Sequence, residues 1–165
     1  MFFYSNNERS YQFWIIGKFE TEKYGKYILS LIKKYKLQNK VKYWGYVSHS
    51  KKFELLSKAH LLINTSTREG WGLVNIEANS VGTQVISYKS TGLVDSVKNG
   101  VSGVVVTSST PFMLAQTIDK IICNSILYKK LQKGAVKWSK KFNWDLSVEI
   151  SLKTLRNIRT EFLRP

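Results

Sequence analysis

Short apolar runs alternate with amphipathic stretches along this chain, and that alternation limits the folds open to it. Gln12–Gly17 (QFWIIG), Val41–Gly45 (VKYWG), His60–Asn64 (HLLIN), Gln84–Tyr88 (QVISY) and Gly103–Val106 read as buried strands. Between the first two, Lys23–Lys36 sets Tyr24, Tyr27, Ile28, Leu31, Ile32 and Tyr35 at helical spacing. Ser50–Lys58 turns Phe53, Leu55 and Leu56 inward behind a Ser48 cap, and Gly72–Val81 is also predicted helical. Ser109 or Thr110 caps a helix with Pro111 in its first turn, which runs to about Ile122. Ser125–Lys141 and Trp144–Phe162 complete the helices. Short strands alternating with helices pair in parallel, with helices covering both faces. The predicted class is α/β, a Rossmann-like three-layer parallel sheet in one domain over residues 1–165. Ligands of such sheets bind beyond the carboxyl ends of the strands. The loops after Gly17, Gly45, Asn64 and Tyr88 are therefore the candidate site.

Composition narrows the partners. No run approaches the ~20 apolar residues of a membrane helix, and MFFYSNNERS lacks the pattern of a signal peptide. The lone Cys123 fits a reducing compartment and, in the apolar run IDKIIC, is expected in the core. The tryptophans and tyrosines are expected mostly in the core as well. The formal charge is +15, from 26 Lys and Arg against 11 Asp and Glu. From Lys23 to Lys42 there are seven lysines and no acidic residue. Such a face attracts phosphorylated small molecules, anionic lipid or nucleic acid. A solvated lysine-rich surface is the plainer reading, and charge alone does not choose.

The stretch after the third strand carries the chemistry. Thr65–Arg68 is a polar loop, Gly70-Trp71-Gly72 a turn, and a helix starts near Gly72–Val74. The first N–H groups of that helix, with the dipole behind them, favour an anion such as a diphosphate. Glu69 precedes the helix and Glu77 lies about one turn inside it. Carboxylates there can accept hydrogen bonds from the vicinal hydroxyls of a ribose or a sugar ring. Alternatively, Glu69 only complements the dipole and Glu77 is a surface residue. The sequence holds no Asp-x-Asp pair and no metal-ligand spacing.

The order of these features resembles a known family. An apolar strand, Thr-Ser, Glu-Gly-aromatic-Gly-Leu, seven residues between the glutamates, Glu-Ala, Gly-Thr and another apolar strand look like the retaining nucleotide-sugar glycosyltransferases of the GT-B fold. Glycogen synthase and bacterial mannosyltransferases belong to that group. WIIG at Trp14–Gly17, KVKYWGYVS at Lys40–Ser48, TGLVDSVKNGVSG at Thr91–Gly103 and FNWD at Phe142–Asp145 agree with it in order. The resemblance implies the C-terminal, donor-binding half of the fold. It implies that Glu69 contacts the transferred sugar and Glu77 the ribose hydroxyls. It places the backbone of Gly70, Trp71, Gly72, Leu73 and Val74 at sugar and diphosphate, with Arg68 just behind. Gly45, Tyr46, Val47 and His49 would lie beside the base, and Gly17 would line the site. No metal or other cofactor is implied. The leaving phosphate would help to deprotonate the acceptor on the same face.

The resemblance also implies parts that this sequence does not supply. One is an N-terminal domain for the acceptor, a glycan or a lipid-linked sugar. The other is a central first strand whose Arg and Lys grip the diphosphate. Met1–Tyr4 is only a short apolar stub, and Arg9 and Lys18 are the nearest cations. The expectation is a truncated donor-binding domain that turns over poorly alone and works with a partner chain or a missing domain. The alternative is an inactive sugar-nucleotide-binding or assembly module. Nucleic acid is disfavoured, because no RNA-recognition aromatic motif, zinc spacing or helix-turn-helix cue is present. The expected location is cytoplasmic, with the lysine face against the inner membrane surface.

Overall fold

The computed structural model describes residues 11–162, and over them the predicted alternation is realised. β1 (Phe13–Ile16), α1 (Glu22–Lys34), β2 (Val41–Gly45) and α2 (His49–Lys58) come first. β3 (Leu61–Asn64), α3 (Leu73–Ser80), β4 (Gln84–Ser87), the single turn α4 (Leu93–Ser96) and β5 (Gly103–Val105) follow. Then come α5 (Pro111–Ile122), α6 (Ser125–Ser139) and α7 (Trp144–Phe162). The Met1–Tyr4 stub and Arg9 lie outside the described residues. Capping chemistry fixes the helix starts. Side-chain oxygens of Thr21, Ser48, Thr110 and Asn124 accept from the backbone N–H three residues on, which opens α1, α2, α5 and α6.

Every ladder is parallel. β1 pairs with β2, Phe13 opposite Val41, with a register shift between Ile15 and Ile16. β3 pairs with β4, Leu61 opposite Gln84 and Asn64 opposite Ser87, and β4 pairs with β5. These strands form two sheets, β1–β2 and β3–β4–β5. Among the described residues no ladder joins β1 to β3. Burial follows that split. β4 is buried along its whole length. Its Ile86 packs with Leu114, Ile118, Ile121 and Leu131 of α5 and α6, while Val85 packs with Leu56, Ala78 and Val97. That alternation is the period of two that a sheet covered on both faces requires. β1 lacks such cover: Phe13, Trp14 and Ile15 are half-buried and Ile16 is exposed.

Two core expectations need correction. Cys123 is exposed. Leu114, Ile118 and Ile121 form the inward stripe of α5, and Cys123, the C-cap, falls about 200° round from Ile121 at 3.6 residues per turn. Tyr24, Tyr27, Tyr35, Tyr43, Tyr46 and Trp144 are exposed too. α1 buries only Gly25 fully, since the narrow β1–β2 sheet offers it little surface. Trp144, Val148, Leu152 and Leu155 line one face of α7 at helical spacing and are all exposed.

Candidate functional site

The site is built where β3 ends. Asn64, the last residue of the strand, accepts from the Ser66 N–H through Oδ1 at 3.2 Å and so turns the chain out of the sheet. Its Nδ2 donates to Asn75 Oδ1 at 3.1 Å, and Asn75 Nδ2 donates to Ser96 Oγ at 2.9 Å. Trp138 Nε1 donates to the Ser96 carbonyl at 2.9 Å. One buried chain of hydrogen bonds thus ties β3, the first turn of α3, α4 and α6. Asn75→Ala strands the Asn64 Nδ2 and leaves Ser96 Oγ with only its own bond to the Leu93 carbonyl, and is expected to cost about 2–3 kcal/mol. Urea denaturation measures this loss; a cost within error of zero contradicts it.

This network holds an unusual helix start. Gly72 precedes α3 at φ 83°, and a Cβ there would lie 2.8 Å from Asn75 Nδ2 and 2.9 Å from Leu93 Cδ2. No side chain caps α3, unlike α1, α2, α5 and α6. Its leading N–H groups and the positive end of its dipole are left for something else. The loop after β4 closes on the same turn. Ser90 Oγ donates to the Ser66 carbonyl at 2.8 Å. Gly92, at φ 82°, comes so near that a Cβ would lie 2.3 Å from the Glu69 carbonyl oxygen. Trp71 meets the Phe142 ring edge-on at 4.7 Å, and Phe142 meets Trp138 at 5.1 Å. Phe142 therefore buttresses the glycine turn through Trp71.

The sequence-predicted residues fall into two groups. In the first, Arg68, Gly70 and Leu73 are exposed, Glu69, Trp71 and Val74 are half-buried, and Gly72 is buried. Glu77, one turn further on, is half-buried, and its Oε1 accepts from Lys52 Nζ at 2.6 Å. In the second group, the Gly17 N–H donates to the Gly45 carbonyl at 2.8 Å, and Tyr43 Oη donates to the Gly17 carbonyl at 3.0 Å. Tyr46 stands 75% exposed beside that pair, with Lys18 Nζ 5.2 Å from its ring centroid. Val47 is half-buried, and His49 opens α2 with its ring 4.8 Å from that of Phe53. Both groups lie at carboxyl ends of parallel strands. The Lys52–Glu77 pair, from α2 to α3, links them.

Lys52 is the residue that sequence reasoning missed, because nothing distinguishes it among so many cations. The fold selects it. Its neighbour Lys51 goes to Glu54 at 2.8 Å, and Lys51 and then Lys58 hold the Glu54 carboxyl down at about 2. Lys52, one step round the helix, faces α3 instead. It fixes Glu77 through Oε1, and Oε2 makes no described hydrogen bond. If the site takes the nucleotide sugar that the resemblance implies, Lys52→Met is expected to weaken its binding about fivefold, and Lys52→Arg to restore most of it, as for a pair worth roughly 1 kcal/mol. Titration calorimetry on the three proteins decides; equal affinities would show that the pair only braces the helices.

The model of the family described as glycosyl transferases group 1 matches residues 4–138. The chain belongs to that family. Among its curated relatives, D-inositol 3-phosphate glycosyltransferase of Salinispora arenicola (strain CNS-205) is 35% identical over 94 residues, 57% of this chain and 21% of that protein. The enzyme of the same name from Streptomyces bingchenggensis (strain BCW-1) is 36% identical over 87 residues, 53% of this chain and 19% of that one. Among solved structures, HepE of Anabaena in complex with UDP has a TM-score of 0.81 at 25% identity, over 89% of this chain and 41% of HepE. Sucrose-phosphate synthase of Thermosynechococcus elongatus has a TM-score of 0.77 at 26% identity, over 92% of this chain and 38% of the synthase. This group 1 glycosyltransferase chain thus spans about a fifth of these curated relatives and about two fifths of these structures. The expected α/β class and the GT-B likeness hold for it.

Proposed function

We propose that this chain supplies the donor-binding part of an enzyme that moves a sugar from a nucleotide-diphospho-sugar to a glycan or lipid-linked acceptor, with retention. The observation that carries the reading is the uncapped N-terminus of α3, presented by Gly72 between Glu69 and Glu77. Three neighbouring amides, Gly72 to Val74, and the helix dipole suit a diphosphate. Glu77, steadied by Lys52, takes the ribose hydroxyls, and Glu69 takes hydroxyls of the transferred sugar. Gly45, Tyr46, Val47 and His49 border the base, and Gly17 closes that side. Structures of HepE with UDP and with UDP-glucose, on the same fold, support a donor of this class.

In the step itself the acceptor hydroxyl oxygen bonds to the anomeric carbon as the carbon–oxygen bond to the diphosphate breaks. The acceptor proton passes to a leaving-group phosphate oxygen on the same face, so configuration is retained. Helix amides stabilise the charge that builds on the diphosphate, and the reading requires no metal or other cofactor. A further polypeptide, a domain or a partner chain, completes the machinery. Two features support this: β1 and β3 each have a ladder on one side only among the described residues, and the apolar face of α7 is exposed. The reaction belongs on the cytoplasmic side, where nucleotide sugars are made.

The test is saturation-transfer NMR of the chain with UDP-glucose and GDP-mannose, with and without EDTA, followed by assays of donor hydrolysis. Binding that survives EDTA and slow hydrolysis by the chain alone are expected. Binding of neither donor overturns the reading, and rapid hydrolysis by the chain alone overturns the need for a further polypeptide.

A further inference from the structure

α1 presents a surface that neither the fold nor the donor site uses. Lys23, Lys26, Lys33 and Lys34 are all exposed on this helix of 13 residues. With Ser30 they lie within one broad arc, opposite the side that carries Gly25, Ile28 and Ile32. Glu22 is the sole acid on the helix, and its contact with Lys26, at 3.5 Å with both side chains exposed, neutralises little. Tyr27 and Leu29, 55% and 47% exposed, flank this arc on its two sides, while Tyr24 falls on the Ile28 side. A helix following a parallel strand starts where that strand ends. The Lys23–Tyr27 end of α1 therefore lies towards the same sheet edge as Gly17, Gly45 and Gly72.

We infer that the outer face of α1 is a docking surface for an anionic lipid bilayer. Lysines meet the headgroup charge, while Tyr27 and Leu29 at the flanks enter the boundary between headgroups and acyl chains. Charge complementarity and the flanking Tyr27 and Leu29 favour this occupant over nucleic acid. Phosphate contacts explain the lysines but give exposed Leu29 nothing to bury against. Docking through α1 lays the strands along the membrane plane and keeps the carboxyl edge of the sheet beside the surface, where a lipid-linked acceptor would be reached. That last consequence rests on the proposed function; the docking does not.

The experiment is flotation of the 165-residue chain with vesicles of phosphatidylcholine, or of phosphatidylcholine mixed with phosphatidylglycerol, at near-physiological salt. Two variants carry equal charge loss. One replaces Lys23, Lys26, Lys33 and Lys34 by alanine, and the other replaces Lys129, Lys130, Lys133 and Lys137 of α6. Circular dichroism checks that both fold. The chain is expected to float with the anionic vesicles only, the α1 variant to bind at least ~10-fold more weakly, and the α6 variant to bind nearly as well as the parent. Tyr27→Ser with Leu29→Ser is expected to weaken binding further at raised salt. No flotation, equal flotation with both vesicles or equal losses in the two lysine variants overturns the inference. Stronger retention on single-stranded RNA than on the vesicles, lost in the α1 variant, makes the face a nucleic-acid surface and also overturns it. No nucleotide sugar enters this assay, so its failure leaves the donor reading untouched, and the reverse holds.

Discussion

On the proposed reading, Glu77→Ala is expected to weaken binding of the nucleotide-sugar donor by about 100-fold while leaving the fold intact. A carboxylate accepting from two hydroxyls makes charge-assisted hydrogen bonds of roughly 1.5–3 kcal/mol each. Losing them, less what water returns, leaves about 3 kcal/mol, which is the hundredfold. Glu77→Gln keeps one acceptor oxygen and is expected to lose about tenfold. The fold has little at stake in this residue. Lys52, its ion-pair partner, keeps 29% of its side chain exposed and turns to water when the carboxylate is gone. An unfolding loss below about 1 kcal/mol follows. Calorimetric titration beside urea denaturation separates the two effects. A large loss of stability with unchanged affinity would make Glu77 a brace between α2 and α3 and remove it from the donor site.

Gly92→Ala is expected to destabilise the chain by about 2–5 kcal/mol and to disorder the glycine turn before α3. Two costs add. A left-handed backbone burdens an L-residue by roughly 1–2 kcal/mol, and forcing a methyl into filled space costs typically 1–3 kcal/mol. Here the space is filled by backbone, the Glu69 carbonyl at 2.3 Å and the Gly70 carbonyl at 2.7 Å, which no rotamer change can clear. Gly45 gives the control. It also has a positive φ, 64°, but nothing lies within 4 Å of a Cβ built there. Gly45→Ala should therefore show only the backbone cost, about 1 kcal/mol. Equal urea midpoints for the two variants would contradict the close approach of the two loops.

Much of this was legible in the sequence because local chemistry decided it. Ser48 and Thr110 announce α2 and α5 by capping, and the run at β4 is apolar because both its faces are covered. The glycine turn and the two glutamates were legible through their order. What the sequence hid depended on contacts between distant segments. The Asn64–Asn75–Ser96 chain joins three elements, and Asn75, a weak helix former, was the only local sign of it. Lys52 became significant only once α2 packed on α3. The tyrosines of α1 misled, because helical spacing says that one face is apolar and not that a neighbour covers it. Among the described residues, the division of the sheet between β1 and β3 has no local signal at all, since each strand is well formed by its own residues.

The central claim is that the amides opening α3 hold a diphosphate. An amide NMR titration of the chain with UDP-glucose and with GDP-mannose measures it most directly, and it reads weak binding as well as strong. The account predicts that the signals of Gly72, Leu73 and Val74 shift together and saturably, and that Glu77→Ala abolishes the shifts at the same donor concentrations. Saturable shifts confined to other parts of the chain, with those three amides unmoved, would contradict it.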